Sequence, residues 1–304
     1  MSGTVLVLGA SGNVGSRVAE AFAAAGWVVR RYVRGTDMQT AAMGADVIFN
    51  GLNPPMYHNW PVLIPQITDQ VIAAGLASGA TVMIPGNVYP YGVEPAPWGP
   101  QTPHRPVARK GQIRAEMEAR YKAAGARGLR VIILRAGDFL DERSTTTAMS
   151  SFYLRRLKAG VITAGGPVDV PRAYAYLPDM ARAAVALADM RAGLPAFADI
   201  PFAGLTFTMT ELRDELARQL RRDLVIKPFG WWMMRLLSPF WELARELPEM
   251  RYLYETPHWL DPAPLRALLP GFEGASLAEV VAAHLTALGY GSGQNHIHPD
   301  RAVA

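Results

Sequence analysis

The sequence predicts an α/β fold built on a doubly wound parallel sheet. Short, almost continuously apolar runs alternate with amphipathic stretches through the first half of the chain. Apolar strands of this kind are typical of a parallel sheet whose two faces are covered by helices, and the amphipathic stretches supply those helices. The first apolar run also ends in a turn with a glycine at every third position, which is a frequent start of such a sheet.

The apolar runs place five strands, and the stretches between them place three helices. The strands are predicted at Thr4–Leu8, Val28–Val33, Val47–Asn50, Thr81–Ile84 and Arg130–Leu134. The helices are predicted at Val14–Ala25, Pro61–Ala77 and Gln112–Ala124. After Arg135 the pattern loosens, and we expect a helix over Ser144–Ala159, a strand in AFADIPF and a helix in TMTELRDELARQLRR.

These patterns divide the chain into two regions and a tail. Residues 1–178 are predicted to form the α/β domain, and residues 179–290 to complete the sheet and form a smaller substrate subdomain. Residues 291–304 are polar and rich in glycine, so we expect a flexible tail.

The composition excludes several functional classes. The 30 basic residues barely exceed the 26 acidic ones and form no stripe interleaved with aromatic residues, so a nucleic-acid partner is not expected. The absence of cysteine excludes disulfides, thiolate nucleophiles and cysteine metal sites. His296 and His298 lie in the tail without a third ligand nearby, so no metal site is assigned. With no signal peptide and no run of about 18 apolar residues, a cytoplasmic protein is expected.

The glycine-rich turn GASGNVG has the features of a phosphate cradle. Gly9 lets the chain turn sharply out of the strand, Gly12 removes a side chain where a pyrophosphate approaches, and Gly15 lets the helix pack on the strand. Backbone N–H groups from Ser11 to Val14 then point at the phosphates from the start of a helix. The residues assigned to this contact are Gly9, Ala10, Ser11, Gly12, Asn13, Val14 and Gly15.

Five segments together resemble the short-chain dehydrogenase/reductase superfamily, in its extended and atypical branches with NAD-dependent epimerases and dehydratases. VLVLGASGNVGSRVAEAFAAAGW is similar to the first βα unit, ADVIFNGLNPP to the end of the third strand, VMIPGNVYPYG to the fourth strand and active-site loop, VIILRAGDF to the fifth strand, and AYLPDMARAAVAL to an aromatic-x-x-Asp-x-Ala-x-Ala segment. The resemblance implies a Rossmann-type domain. It also implies cofactor contacts at Asn50, Gly51, Leu52, Pro85, Gly86, Ala136 and Gly137.

The end of the second predicted strand favours NADP over NAD. NAD-binding members of the superfamily carry an acid there, which accepts hydrogen bonds from the ribose hydroxyls, whereas this chain has Val33 followed by Arg34. A guanidinium can bind a 2′-phosphate with two charge-assisted hydrogen bonds. The other interpretation is that Arg30, Arg31 and Arg34 are solvated charges at a strand end.

The catalytic residues depart from the pattern that the resemblance implies. Reductases of the superfamily use a Tyr-x-x-x-Lys pair on one helix face and a Ser or Thr at the end of the fourth strand. Here Asn87 takes the place of the Ser or Thr, Lys110 that of the Tyr and Arg114 that of the Lys. Asn87 can donate to a carbonyl oxygen through its amide, and Arg114 can bind a ribose or a phosphate.

Three hypotheses therefore stay open for the chemistry. Lys110 or Tyr89 replaces the missing acid, with Asn87 orienting the substrate. Alternatively, the chain has lost hydride transfer and binds NADP as a regulator or assembly factor. In the third hypothesis the catalytic group is one that the motif does not mark, such as Asp138. Asp179, after YLP, is expected to start a helix rather than act as an acid.

The expected function is an NADP-dependent oxidoreductase or epimerase-like enzyme acting on a small carbonyl or hydroxyl compound. The Trp- and Met-rich second half favours an apolar or aromatic substrate, and a homodimer stays open. The aromatic stretch from Phe229 to Trp241 is expected to pack in a core, ahead of lining a pocket or lying on a membrane surface. His58 is either a substrate contact or polar surface.

Overall fold

The structure is a computed structural model, and it describes residues 3–290. Its strands are β1 (Thr4–Leu8), β2 (Val28–Arg31), β3 (Val47–Asn50), β4 (Thr81–Gly86), β5 (Val131–Arg135), β6 (Asp138–Leu140), β7 (Val161–Ala164), β8 (Arg172–Tyr176), β9 (Phe197–Pro201), β10 (Leu205–Phe207) and β11 (Val225–Pro228). Its helices are α1 (Asn13–Ala24), α2 (Met38–Ala42), α3 (Trp60–Ser78), α4 (Arg109–Ala124), α5 (Leu177–Asp189), α6 (Met209–Leu220), α7 (Trp231–Leu237), α8 (Glu242–Glu246), α9 (Tyr252–Glu255), α10 (Ala263–Leu268) and α11 (Leu277–Ala287). The predicted tail over residues 291–304, with His296 and His298, lies outside the described residues.

The main sheet has six parallel strands in the order β2-β1-β3-β4-β5-β9. Alternate residues of its strands enter two different cores. Val5 and Val7 of β1 pack with α1 and α5, whereas Leu6 and Leu8 pack with α2, α3 and α4. Burial on both faces explains why the strands read as continuous apolar runs, and it confirms the doubly wound α/β fold.

Two small sheets lie outside the main sheet. One has the order β10-β8-β6, and the other pairs β11 with β7. Their strands come from both sides of residue 178 along the chain, and β9 returns to the main sheet between them. Helices α6 and α11 cover a separate core that includes Tyr153, Leu212 and Val280. The boundary at residue 178 stays a prediction.

The predicted helix over Ser144–Ala159 is wrong. The structure has only a π-turn at Met149–Tyr153 and a 3₁₀ turn at Leu157–Ala159. The Ser144 hydroxyl accepts a hydrogen bond from the Thr146 N–H at 3.1 Å, and the Thr147 hydroxyl accepts one from Ser150 at 3.4 Å. Such local side-chain bonds compete with a regular helix. The other predicted elements are confirmed to within three residues at each end.

Parallel strands place their carboxyl ends along one edge of the main sheet, where the chain leaves β1, β3, β4 and β5. In open α/β sheets this edge carries the ligand site. Among residues 3–290, no helix combines the length and the apolarity needed to cross a bilayer.

Candidate active site

The glycines of the first turn bring β1, β3 and α1 together. Gly9 has φ of +73°, and a Cβ on it would lie 2.8 Å from the Gly51 carbonyl oxygen. A Cβ on Gly15 would lie 2.2 Å from the Gly9 carbonyl oxygen, which no real side chain tolerates. Gly12 differs, because a Cβ there would meet only the Gly9 carbonyl oxygen, at 3.3 Å. Gly9 and Gly15 therefore hold the backbone together, whereas Gly12 faces open space.

The amino terminus of α1 has no side-chain cap. Gly12 is its N-cap residue, and the first turn carries no acidic residue. The Asn13 side chain donates to Thr146 Oγ1 at 2.9 Å and leaves the helix N–H groups free of a side-chain partner. Free N–H groups and the positive end of the helix dipole suit an anion. With Ser11 and Gly12 exposed, Asn13 and Val14 half-buried and Ala10 buried behind them, the turn fits a pyrophosphate.

The residues after β2 leave Arg34 accessible. Val33 is 66% exposed at the position where an acid would bind a ribose. Arg30 donates from Nη1 to the Met43 carbonyl at 2.9 Å, so it is directed toward α2. Arg31 and Arg34 are both exposed, and within residues 3–290 neither forms an ion pair.

The end of β3 is fixed by a buried asparagine. Asn50 donates from Nδ2 to the Tyr121 hydroxyl at 3.2 Å, and its Oδ1 accepts from the Leu52 N–H at 3.1 Å. Gly51 packs against the β1 backbone, since a Cβ there would lie 2.9 Å from the Leu8 carbonyl oxygen. These contacts set the backbone of residues 50–52 beside the glycine turn.

The remaining predicted cofactor residues lie at the ends of β4 and β5. Pro85 and Gly86 end β4, and Ala136 and Gly137 link β5 to β6. A Cβ on Gly86 would lie 2.5 Å from Ile133 Cγ2, and one on Gly137 would lie 2.0 Å from the Ala173 carbonyl oxygen. Both glycines thus have a packing role, and their contact with a cofactor stays a prediction.

A fully buried arginine anchors the loop after β4. Arg135 bonds Glu118 of α4 at 2.7 Å and Asp199 of β9 at 2.6 Å, and it donates to the Asn87 carbonyl at 2.6 Å. The side chains of Glu118, Asp199 and His104 lie close enough together to bind one metal ion. Because both carboxylates already bind the guanidinium, we assign no metal to this cluster.

Asn87 and Tyr89 lie together in this loop. Asn87 Oδ1 accepts from the Tyr89 N–H at 3.1 Å, which leaves the amide NH₂ of Asn87 available as a donor. The Tyr89 hydroxyl lies 3.3 Å from the Tyr57 hydroxyl. Burial raises the pKa of Tyr89, and the nearby Asp138 carboxylate adds to this effect. Burial raises the pKa of Tyr57 well above its ordinary value. Both phenols are therefore protonated at neutral pH.

The ammonium group of Lys110 is bound in two ion pairs. Its side chain is buried, and Nζ bonds Glu246 at 2.7 Å and Glu249 at 2.5 Å. The Lys110 backbone N–H also donates to Glu249, at 3.0 Å. These two ion pairs hold the ammonium group, so Lys110 is not free to reach a substrate. The catalytic role of Lys110 stays a prediction that its contacts do not favour.

Arg114 lies on the same helix, four residues further on. It donates from Nη2 to Asn53 Oδ1 at 2.7 Å and lies 4.8 Å from the Trp60 ring centroid. Its Nε is buried without a hydrogen-bond partner. A planar guanidinium with an unused buried donor suits a ribose or phosphate oxygen.

A second polar cluster surrounds Arg172 of β8, which the sequence analysis did not mark. Arg172 bonds Asp138 at 2.6 Å and the Tyr153 hydroxyl at 2.5 Å, and its guanidinium lies 4.0 Å from the Tyr254 ring centroid. Asp138 is thus engaged in an ion pair rather than free as a base. The pKa of Tyr254 is raised by burial, which keeps this phenol neutral as well.

Aromatic side chains adjoin this cluster. Tyr254 lies 6.1 Å from Phe152 and 5.8 Å from Trp231, measured between ring centroids. Phe229 lies between the latter two, 4.8 Å from Phe152 and 4.9 Å from Trp231. This half-buried group, which we call the aromatic wall, consists of Phe152, Phe229, Trp231 and Tyr254.

Asp179 and His58 each form an ion pair with another side chain. Asp179 lies in the first turn of α5, bonds Arg182 at 2.8 Å and accepts from the Ala275 N–H at 2.7 Å. This agrees with a helix-start role. His58 is exposed and bonds Glu242 at 2.8 Å.

Comparison with known proteins gives the fold. No protein-family model matches the chain, and no curated protein sequence matches it significantly. Among solved structures, UDP-glucuronic acid 4-epimerase from Bacillus cereus, in complex with UDP-glucuronic acid and NAD, matches 94% of this chain and 99% of its own, with 14% identity and a TM-score of 0.77. UDP-glucose 4-epimerase from Brucella ovis, in complex with NAD, matches 95% and 99%, with 17% identity and a TM-score of 0.73. RMD from Pseudomonas aeruginosa, complexed with NADPH, matches 94% and 99%, with 16% identity and a TM-score of 0.72.

The chain has the same fold as these three structures. The resemblance read from the sequence is thereby confirmed at the level of the fold, over nearly the whole length of both chains. The agreement includes the later strands, for which the sequence pattern was weak.

Sequence reasoning missed the partners that come from the second half of the chain. Glu246 and Glu249 are separated from Lys110 by 136 and 139 residues, and no local pattern links them. No pattern in the sequence marks Tyr57. The one available signal is the position of Arg172 three residues before the segment AYLPDMARAAVAL.

Proposed function

We propose that this protein binds a nicotinamide dinucleotide, with NADP preferred, and reduces a small carbonyl compound. The observation that carries the proposal is the uncapped start of α1 above the glycine turn, on the same sheet edge as Asn87 and Tyr89. A bound nicotinamide supplies the hydride in such a reaction. The solved structures of the same fold named above contain NAD or NADPH, which supports this class of cofactor.

The chain's own residues supply binding, orientation and a proton. Helix α1 binds the pyrophosphate, Arg34 binds the 2′-phosphate and Arg114 binds the ribose on the nicotinamide side. The amide of Asn87 donates to the substrate carbonyl oxygen, because its own oxygen is already used by Tyr89. Tyr89 donates its phenolic proton to that oxygen as the hydride reaches the carbon, and Tyr57 hydrogen-bonds the phenolate that forms.

The protonation state of Tyr89 favours reduction over epimerisation. Epimerisation begins with oxidation of a hydroxyl, which needs a base in its ionised form. Burial raises the pKa of Tyr89, so at neutral pH its phenol is a donor rather than a base. The aromatic wall beside Asp138 and Arg172 supports an apolar or aromatic substrate. The UDP-glucuronic acid 4-epimerase structure contains a sugar nucleotide, so sugar nucleotides are the comparison class of substrates.

The alternative function is a dinucleotide-binding regulator without turnover. The observation that favours it is the ion pairing of Lys110 with Glu246 and Glu249, at the position where the superfamily's reductases carry their acid. Both functions require the phosphate cradle, so binding of NADPH does not separate them.

Turnover with a substrate panel tests the proposal. Aliphatic and aromatic aldehydes and ketones are incubated with NADPH, and loss of absorbance at 340 nm is followed; in a second arm UDP-glucose and UDP-glucuronic acid, which offer hydroxyl groups but no free carbonyl, are incubated with NADP⁺, and gain of absorbance at 340 nm is followed. We expect reduction of an aromatic carbonyl. Tyr89→Phe should lower kcat by roughly a hundredfold with little change in NADPH affinity. Tyr57→Phe should lower it less, because the donor remains.

Two results would contradict the proposal. If no compound oxidises NADPH while calorimetry shows that NADPH binds, the regulator function is the better one. If Tyr89→Phe retains full kcat on an accepted substrate, the proton comes from another group.

A further inference from the structure

The segment from Trp231 to Trp241 presents large apolar side chains to the solvent. One face of α7 is anchored, because Trp231 Nε1 donates to the Gly165 carbonyl at 2.7 Å and Met234 is buried. The remaining large side chains point outward. We call them the α7 patch: Trp232, Met233, Leu236, Leu237, Phe240 and Trp241.

The α7 patch is highly exposed and continuous. Trp232 and Leu236, one helical turn apart, are each 68% exposed, and Phe240 is 91% exposed. Six adjoining large apolar residues are unusual on the surface of a soluble protein, and such patches mark an interaction site. The burial expected from the sequence therefore holds only for Met234, while Phe229 and Trp231 are half-buried.

The segment that carries the α7 patch contains a single charged side chain, and that side chain is positive. Arg235 is the only charged residue between Phe229 and Trp241, and it has no ion-pair partner within the described part of the chain. Of the carboxylates that follow, Glu242 bonds His58, while Glu246 and Glu249 bond Lys110. The outward surface thus combines aromatic residues with a free guanidinium.

This combination favours a bilayer over a second copy of the chain. In a symmetric dimer built on the α7 patch, Arg235 would face the same arginine-bearing patch of the partner, and the segment from Phe229 to Trp241 contains no carboxylate to pair with it. At a bilayer surface the guanidinium can reach lipid phosphates while the apolar side chains enter the headgroup boundary. Tryptophan is well suited to that boundary, because its ring is apolar and its N–H is polar.

We propose that the α7 patch docks this protein on an anionic lipid bilayer. The docking surface adjoins the candidate active site, since α8 follows the patch and contacts His58 and Lys110. A docked molecule would therefore hold its site near the bilayer, where apolar compounds accumulate. The inference rests on the patch alone and does not require the proposed reaction.

Vesicle sedimentation tests the docking. The full chain is mixed with vesicles of phosphatidylcholine containing about 30% phosphatidylserine, and with vesicles of phosphatidylcholine alone. We expect sedimentation with the anionic vesicles and a blue shift of tryptophan fluorescence. The double variant Trp232→Ser/Phe240→Ser should lower the partition coefficient by roughly a hundredfold. Arg235→Gln should lower it by roughly fivefold on anionic vesicles only.

A control comes from the exposed apolar residues near the edge strand of the main sheet. Val28 and Met43 are 61% and 54% exposed near the edge strand β2. Val28→Ser/Met43→Ser removes comparable exposed apolar side chains and should leave the partition coefficient unchanged. Equal loss in both double variants would overturn the proposal. So would failure of the wild-type chain to sediment, or a concentration-dependent dimer that Trp232→Ser/Phe240→Ser abolishes while vesicles bind nothing.

Discussion

Gly12 and Gly15 should respond in opposite ways to the same substitution. Gly12 has φ of −81° and ψ of 168°, which any residue adopts, and an added Cβ would meet only one atom, at 3.3 Å. Gly15 would place a Cβ 2.2 Å from the Gly9 carbonyl oxygen, and that oxygen belongs to backbone that cannot rotate away. The first substitution therefore blocks the ligand space, and the second damages the fold.

The expected magnitudes follow from these contacts. Gly12→Val loses a favourable N-cap residue, at about 1 kcal/mol, or a few degrees in Tm for a chain of this size. It should also remove about two charge-assisted hydrogen bonds to the pyrophosphate, so the NADPH affinity should fall at least about a hundredfold. Gly15→Ala forces a backbone shift, which should cost about 3 kcal/mol of stability.

Two measurements on each variant separate the effects. Thermal unfolding gives the stability, and titration calorimetry with NADPH gives the affinity. Unchanged NADPH affinity in Gly12→Val would refute the phosphate-cradle assignment. A Gly15→Ala variant as stable as the wild-type chain would refute the packing argument.

Three further predictions concern the cofactor, the buried lysine and a buried histidine. The wild-type chain should bind NADPH at least about tenfold more tightly than NADH, and Arg34→Ala should remove that preference in calorimetry. Lys110→Met should cost less stability than the double variant Glu246→Gln/Glu249→Gln. The first leaves two carboxylates unpaired, but both are a quarter or more exposed and can be hydrated, whereas the second leaves unpaired a lysine side chain that is only 3% exposed. The reverse order in urea unfolding would contradict this prediction. Burial lowers the pKa of His258 from 6.5 to about 4, so the unfolded chain alone takes up this proton as the pH falls between these values. The free energy of unfolding should therefore decrease by about 3 kcal/mol across that window, and His258→Gln should reduce the pH dependence of urea unfolding.

The features that the sequence predicts well are local. The glycine turn, the strand before it and the helix after it depend on neighbouring residues, and all three are confirmed in the structure. The main sheet follows from continuous apolar runs whose residues alternate between two cores. The start of α5, with Asp179 in its first turn, also follows from a local signal.

The features that the sequence predicts poorly depend on distant contacts. Ser144–Ala159 has helical spacing of apolar residues, yet hydroxyl bonds to the backbone replace the helix there. Lys110 looks like a replacement acid until two carboxylates from residues 246 and 249 are seen on it. The aromatic stretch after Phe229 gives no sign of which rings face inward, because that depends on the position of the Gly165 carbonyl.

The contacts of Lys110 also impose an order on folding during synthesis. The strands β1 to β5 are complete by Arg135, but Glu246 and Glu249 follow more than a hundred residues later. At about 5–20 residues per second, a ribosome needs roughly 5–20 s to make that interval. During this time the lysine must stay hydrated, so the start of α4 cannot reach its final packing. The cradle on β1 and α1 is complete earlier, because α1 packs on α5, which ends at Asp189. The nascent chain should therefore acquire its phosphate-binding turn well before the rest of the site.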